Sequence, residues 1–195
     1  MNRLLIIVSV LFYYGCDPFV NEFPDLSSLS KSSESKILKM WEGLGYYRRA
    51  RNLLACSKIL VQNYKSRLPR SIIEIKKLPG IGDYTANALL GLVYNEPRIA
   101  LDGNVKRVFS RNLNIEEEKI NFEKLLKKNK KKLFITKRNG DFVEALMEFG
   151  ALICKPKDPN CLTCCLKKTC KSVSYTHLRA HETDSYLVCR LLLEK

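Results

Sequence analysis

Apolar residues recur along this chain at helical spacing, and nowhere do they alternate as a half-buried strand requires. "SSESKILKMWEGLG" predicts a short helix, with serine caps before it and glycines ending it. Residues 46–64 predict a longer amphipathic helix that buries Leu53, Leu54, Ile59 and Leu60. Ser71 to Lys77 reads as a brief helix stopped by Pro79, and Tyr84 to Val93 is apolar nearly all round, as a central helix would be. Further helices are expected over Asn104 to Arg111 and from about Glu117 to Leu133. Phe142, Leu146, Phe149 and Ile153 then keep the helical period. The expected class is all-α.

Composition narrows the function. The 195 residues are 46% hydrophobic, enough for one ordinary domain or two small lobes. A net charge of +14 points to a polyanionic partner, with nucleic acid ahead of an acidic membrane. The lysine run "KLLKKNKKKLFITKRN" reads first as a solvated helix end and loop. The start imitates an export signal, with Arg3, an apolar run from Leu4 to Tyr14, then Gly15 and Cys16. That run is too short to span a bilayer, and bulky Tyr13 and Tyr14 suit a cleavage site poorly, so a cytoplasmic, nucleoid-associated protein without membrane attachment is expected.

Two stretches carry chemistry. In "LPGIGDYTA", from Leu78 to Ala86, Gly80 and Gly82 permit a tight turn that offers bare N–H groups at the start of the next helix. Such a turn grips a phosphate without reading a base, although a plain helix–helix connection would also use it. The run from Cys154 to Cys170 holds five of the eight cysteines, while Cys16, Cys56 and Cys189 are scattered. Four thiolates suit either an iron–sulfur cluster or zinc, and one cysteine is then surplus.

"GLGYYRRARNL" (Gly43 to Leu53), the glycine turn, "LDGNVKRV" (Leu101 to Val108) and the spaced cysteines occur in the order of a known family. Over about Phe19 to Lys171 the chain resembles the MutY-type adenine DNA glycosylases of the helix-hairpin-helix superfamily, with endonuclease III a close relative. The resemblance implies two helical lobes, a partial barrel lobe at 19–100 and a lobe with a [4Fe–4S] loop at 101–172. It implies a monomer acting on double-stranded DNA, hydrolysing the N-glycosidic bond of adenine mispaired with 8-oxoguanine or guanine. Asp102 would stabilise the oxocarbenium-like transition state, whether or not it also caps the following helix. Asn104 would help order the sugar and the attacking water, and Tyr84 would line the site. Tyr84 stands where endonuclease III-like enzymes carry a Schiff-base lysine, so a monofunctional glycosylase is implied. DNA contacts fall to Tyr46, Arg48, Leu78, Gly80, Ile81, Gly82 and Lys106, with Tyr46 as a wedge and Tyr47 better suited to the core. Cys154, Cys161, Cys164 and Cys170 would hold the [4Fe–4S] cluster, leaving Cys165 spare.

Departures from the pattern matter. The family's general-acid glutamate aligns upstream of Met1, no Gln-Gln-Thr stretch occurs, and Glu22 and Glu34 align outside the site. Residues 1–18 do not read as family sequence, which an internal start or frameshift would explain. Adenine excision by the chain as written is therefore expected to be negligible. Residues 173–195, with His177 and His181, look like a translated sequencing-library adaptor, and on that reading the family's 8-oxoguanine-recognition domain is not expected within these residues. Two alternatives stand: a non-catalytic DNA-binding helix-hairpin-helix module, and an endonuclease III-like glycosylase/lyase, the latter opposed by Tyr84 and the Asp-Gly-Asn triplet.

Overall fold

The computed structural model describes residues 17–135 and 137–173. The expectations for residues 1–16, and for the tail with its two histidines, lie outside the described residues. Within them every element is helical, as the periodicity predicts, and no helix is long and apolar enough to cross a membrane. The chain divides into two compact units, with the boundary between Ala100 and Leu101.

The first unit contains α1 (Asp17–Glu22), α2 (Leu26–Ser30), α3 (Glu34–Met40), α4 (Arg48–Tyr64), α5 (Ile72–Ile75) and α6 (Asp83–Tyr94). The short helices start where a side chain can take up an orphan amide. Asp25 accepts from the Ser28 N–H at 2.7 Å, which holds its carboxyl below the usual range, and Ser33 accepts from Lys36 N–H at 3.2 Å. Packed on α2 and α3, α4 turns Ala50, Leu53, Leu54, Cys56 and Leu60 inward. Trp41, Leu29, Ile37, Ile75, Leu89 and Leu90 complete a core from which water is excluded. Each such aliphatic side chain contributes about 1.5–3 kcal/mol by burial.

α4 begins two residues later than the pattern predicts, because Tyr46 has φ +48° and cannot be helical. Ile59 is half-buried at the edge of the core rather than inside it.

The second unit contains α7 (Gly103–Leu113), a 3-10 turn (Glu117–Lys119), α8 (Phe122–Leu133), α9 (Asn139–Glu148) and a π-helical turn (Phe149–Ile153). The single helix expected over 117–133 is broken near Asn121, whose side chain accepts from Lys124 N–H at 2.9 Å and starts α8 afresh. Along the last helical stretch Val143 and Gly150 are buried, whereas Phe142, Leu146, Phe149 and Ile153 are only half-buried. The Phe134 and Phe142 rings pack edge to face at 5.5 Å, tying the end of α8 to α9.

Candidate nucleic-acid interface and cysteine loop

Unit one presents the glycine turn between α5 and α6. Ile81 N–H donates to the Leu78 carbonyl at 3.2 Å, and Gly80 adopts φ +78°. A Cβ at Gly80 would lie 2.7 Å from Asn52 Nδ2 and 2.8 Å from Asn52 Cβ, so α4 and the turn touch without room for a side chain. Glycine is needed here for both angle and space. Gly82 is the N-cap of α6 and offers no capping side chain to the first-turn amides at the positive end of the helix dipole. Gly80 and Gly82 are exposed, Ile81 is half-exposed, and Tyr84 sits half-buried on the first turn. Leu78 is a correction: its side chain lies in the core, only 3% exposed, so it serves the turn through its carbonyl.

A second feature of this unit is the loop before α4. The buried Trp41 donates its Nε1–H to the Gly45 carbonyl at 3.0 Å, and Gly45 itself has φ +65°. Tyr46 then follows in the left-handed region, rare for an aromatic residue, and is 83% exposed. The Arg49 guanidinium stands 5.6 Å from the Tyr46 ring and 6.0 Å from Trp41. Arg48 is exposed on the first turn of α4, and Tyr47, 41% exposed, is not the core residue the sequence suggested.

In unit two the structure joins Asp102, Asn104 and the cysteine loop through one arginine. Asp102 is the N-cap of α7, its Oδ1 accepting from Val105 N–H at 2.7 Å. Its Oδ2 accepts from Asn104 Nδ2 at 3.2 Å. Asn104 Oδ1 in turn accepts from Arg107 Nη2 at 2.8 Å. Arg107 also donates to the carbonyls of Gly150 (2.7 Å) and Cys154 (2.9 Å). Burial, then repulsion from Arg111, pulls the Arg107 pKa below its ordinary value. One turn on, Arg111 donates to the carbonyls of Lys155 (2.7 Å) and Pro156 (3.0 Å) and approaches Cys154 Sγ at 3.5 Å. Lys106 pairs with Glu117 at 3.6 Å and lies 5.8 Å from the Phe122 ring.

Cys154, Cys161, Cys164 and Cys170 are half-buried, and Cys165 is exposed. Burial raises the Cys164 thiol pKa against a backbone hydrogen bond at Leu166, and the neighbouring Cys165, Cys154 and Cys170 push it further. No three metal-ligating groups among the described residues are gathered closely enough to hold a single ion. Four soft thiols in one half-buried loop are the donor type that an iron–sulfur cluster would take.

Sequence reasoning missed Arg107, Arg111, Asn52, Trp41 and Gly150. The arginines' four-residue spacing on α7 was a signal that both face one partner. Nothing in the local sequence marks Gly150 as a crossing point.

A glycine turn joining two helices, together with a second helical unit that carries a capping aspartate and a cysteine loop, defines a helix-hairpin-helix protein. Solved structures agree on the fold. A thermostable thymine-DNA glycosylase matches at TM-score 0.74 and 27% identity, over 89% of this chain and 84% of its own. Endonuclease III trapped as a covalent intermediate with DNA matches at TM-score 0.72 and 24% identity, over 92% and 87%, a likeness of fold alone. The chain belongs to the HhH-GPD superfamily of base excision DNA repair proteins, whose pattern covers residues 10–132. That match takes in residues 10–18, which the sequence reading set apart from the family. The superfamily includes [4Fe–4S] enzymes. An adenine DNA glycosylase of Buchnera aphidicola subsp. Baizongia pistaciae (strain Bp) is 43% identical over 165 residues, or 85% of this chain and 47% of that protein. The chain spans about half the length of the curated relatives it matches.

Proposed function

We propose that this chain is the helix-hairpin-helix part of an adenine DNA glycosylase, acting on adenine opposite 8-oxoguanine or guanine in double-stranded DNA. The observation that carries the reading is the Asp102 carboxylate, fixed by the Val105 amide and the Asn104 side chain. Breaking a glycosidic bond builds positive charge on the sugar, and a carboxylate of fixed orientation stabilises it without reorganising in the transition state. Asn104, itself held by Arg107, orders the sugar and the attacking water. Gly80, Ile81 and Gly82, with the first-turn amides of α6, grip a backbone phosphate, and Lys106 takes another.

Tyr46 enters the duplex beside the base opposite the target. Its left-handed backbone and its exposure support this, since strain of that kind is kept where a side chain must be presented. Tyr84 lines the pocket for the extruded base and cannot form a Schiff base. Cys154, Cys161, Cys164 and Cys170 would hold the [4Fe–4S] cluster, with the exposed Cys165 left over. When bound, the cluster supplies a rigid cross-link of the loop. The loop's own part is to offer the Cys154, Lys155 and Pro156 carbonyls that anchor Arg107 and Arg111.

The discriminating readout is recognition of the mispair. Fluorescence anisotropy should give tighter binding to an adenine–8-oxoguanine duplex than to the same duplex with an adenine–thymine pair. Tyr46→Ala should remove most of that preference. Equal affinity for both duplexes would leave only a general DNA-binding module. An efficient adduct trapped by borohydride would make the protein a lyase instead.

A further inference from the structure

We propose that the lysine face of α8 is a second duplex-binding surface that tracks the phosphate backbone without reading sequence. The inference deepens the DNA-directed function proposed above and rests on it. α8 carries six lysines, Lys124, Lys127, Lys128, Lys130, Lys131 and Lys132, against one acid, Glu123. All six are exposed, and none forms an ion pair with a described residue.

Helical geometry sorts them. Phe122, Leu125, Leu126, Asn129 and Leu133 fall on one face, and these are the half-buried positions. Lys124, Lys127, Lys128 and Lys131 share the opposite face, with Lys130 and Lys132 flanking the apolar stripe. Each end of the helix makes one aromatic contact. Phe122 meets Lys106 of α7, and Phe134, just past the helix, packs on Phe142 of α9. The cationic face thus lies opposite the half-buried side of the helix. Lys124 and Lys131 are about 10 Å apart along the axis at 1.5 Å per residue. A duplex displays roughly six phosphate charges over that length, more than enough to engage the four lysines of the face.

A basic amphipathic helix also suits an anionic membrane, but it must then bury its apolar face in lipid. Here the residues of that face are half-buried and include the polar Asn129, which leaves less apolar surface for lipid, so a rigid polyanion contacted by charge alone is the fitting partner.

The test is a salt titration of anisotropy with a short undamaged duplex. Lys124, Lys127, Lys128 and Lys131 are changed together to Gln, which keeps helix propensity close to that of Lys. A control changes Lys31, Lys39, Lys58 and Lys65 to Gln, with the same loss of charge. The α8 variant should bind about tenfold or more weakly at low salt, and its slope of log K against log salt should be shallower by about 3.6, four contacts at ~0.9 each. The control should keep a slope near that of the wild type.

Equal losses in the two variants would show a diffuse charge effect and overturn the proposal. So would an unchanged slope in the α8 variant, with the wild type still bound. Failure of the wild type to bind duplex DNA at all would overturn the DNA-directed reading as well. Loss of binding to phosphatidylserine vesicles, with duplex binding intact, would reassign the face to a membrane. If the α8 variant fails to fold, acetylation footprinting of the wild-type chain decides. Duplex should protect the four α8 lysines but not Lys58, and absence of protection overturns the proposal.

Discussion

Gly150→Ala and Gly103→Ala make the same chemical change in one unit and should act in opposite directions. A Cβ at Gly150 would lie 2.8 Å from Asn104 Cβ, 2.9 Å from Asn104 O and 3.0 Å from Asn104 C. Two of those are backbone atoms, so no rotamer change relieves them, and the first turn of α7 must move. Overpacking of this kind costs about 1–3 kcal/mol. In a unit of this size each kcal/mol lowers the melting temperature by roughly 4–8 °C. At Gly103 a Cβ meets nothing within 4 Å, and the residue stands at the first helical position of α7. There alanine should stabilise by about 0.4–1 kcal/mol, through lower entropy of the unfolded chain. Calorimetric melting and urea titration of both variants measure the pair of signs. A Gly150→Ala protein melting at or above the wild type would refute the close crossing of α7 and the π-helical turn.

Arg107→Lys should destabilise nearly as much as Arg107→Ala, by about 2–4 kcal/mol in urea titration, because an ammonium cannot span three fixed oxygens as the planar guanidinium does. Trp41→Phe removes the donor to the Gly45 carbonyl and should cost about 1–3 kcal/mol in melting, with weaker discrimination of the mispaired duplex. Burial pushes the Cys56 thiol up to about 12. The unfolded thiol loses its proton near its ordinary value while the folded one keeps it, so folding stability should fall as pH rises from about 9 towards 12, by up to ~4 kcal/mol. Subtracting the alkaline urea profile of Cys56→Ala from that of the wild type isolates this contribution, and a flat difference would contradict it.

Helix positions were legible because burial follows the helical period, as at Leu53, Leu54 and Leu60 of α4. The glycine turn was legible because only glycine meets both its backbone angle and its contact with Asn52. The break before α8 was not, because Asn121 as a cap differs from Asn121 in a helix only by a local competition for one amide. Leu78 misled for a related reason: a motif letter does not say whether the side chain or the carbonyl is used. The Arg107 network was hidden because its acceptors, Gly150 O and Cys154 O, are backbone atoms more than forty residues away in the chain.

The two units differ in what holds them, and this gives the cysteine loop its place in the argument. Unit one has a broad core centred on Trp41, Leu29, Ile37 and Leu90. Among the described residues of unit two, the buried aliphatic side chains are Val105, Val108 and Val143. At about 1.5–3 kcal/mol each, so few buried groups offset little of the chain entropy of a unit this long. Small cores of this kind need a staple. The arginines of α7 supply part of it, since Arg107 and Arg111 bind five backbone carbonyls or side-chain oxygens around the start of the loop. The four half-buried thiols can supply the rest if joined through one centre. Asp102 is orientated by the same helix that those arginines anchor. A loosened loop should therefore reach the carboxylate through Arg107 and Asn104 even though no cysteine touches it.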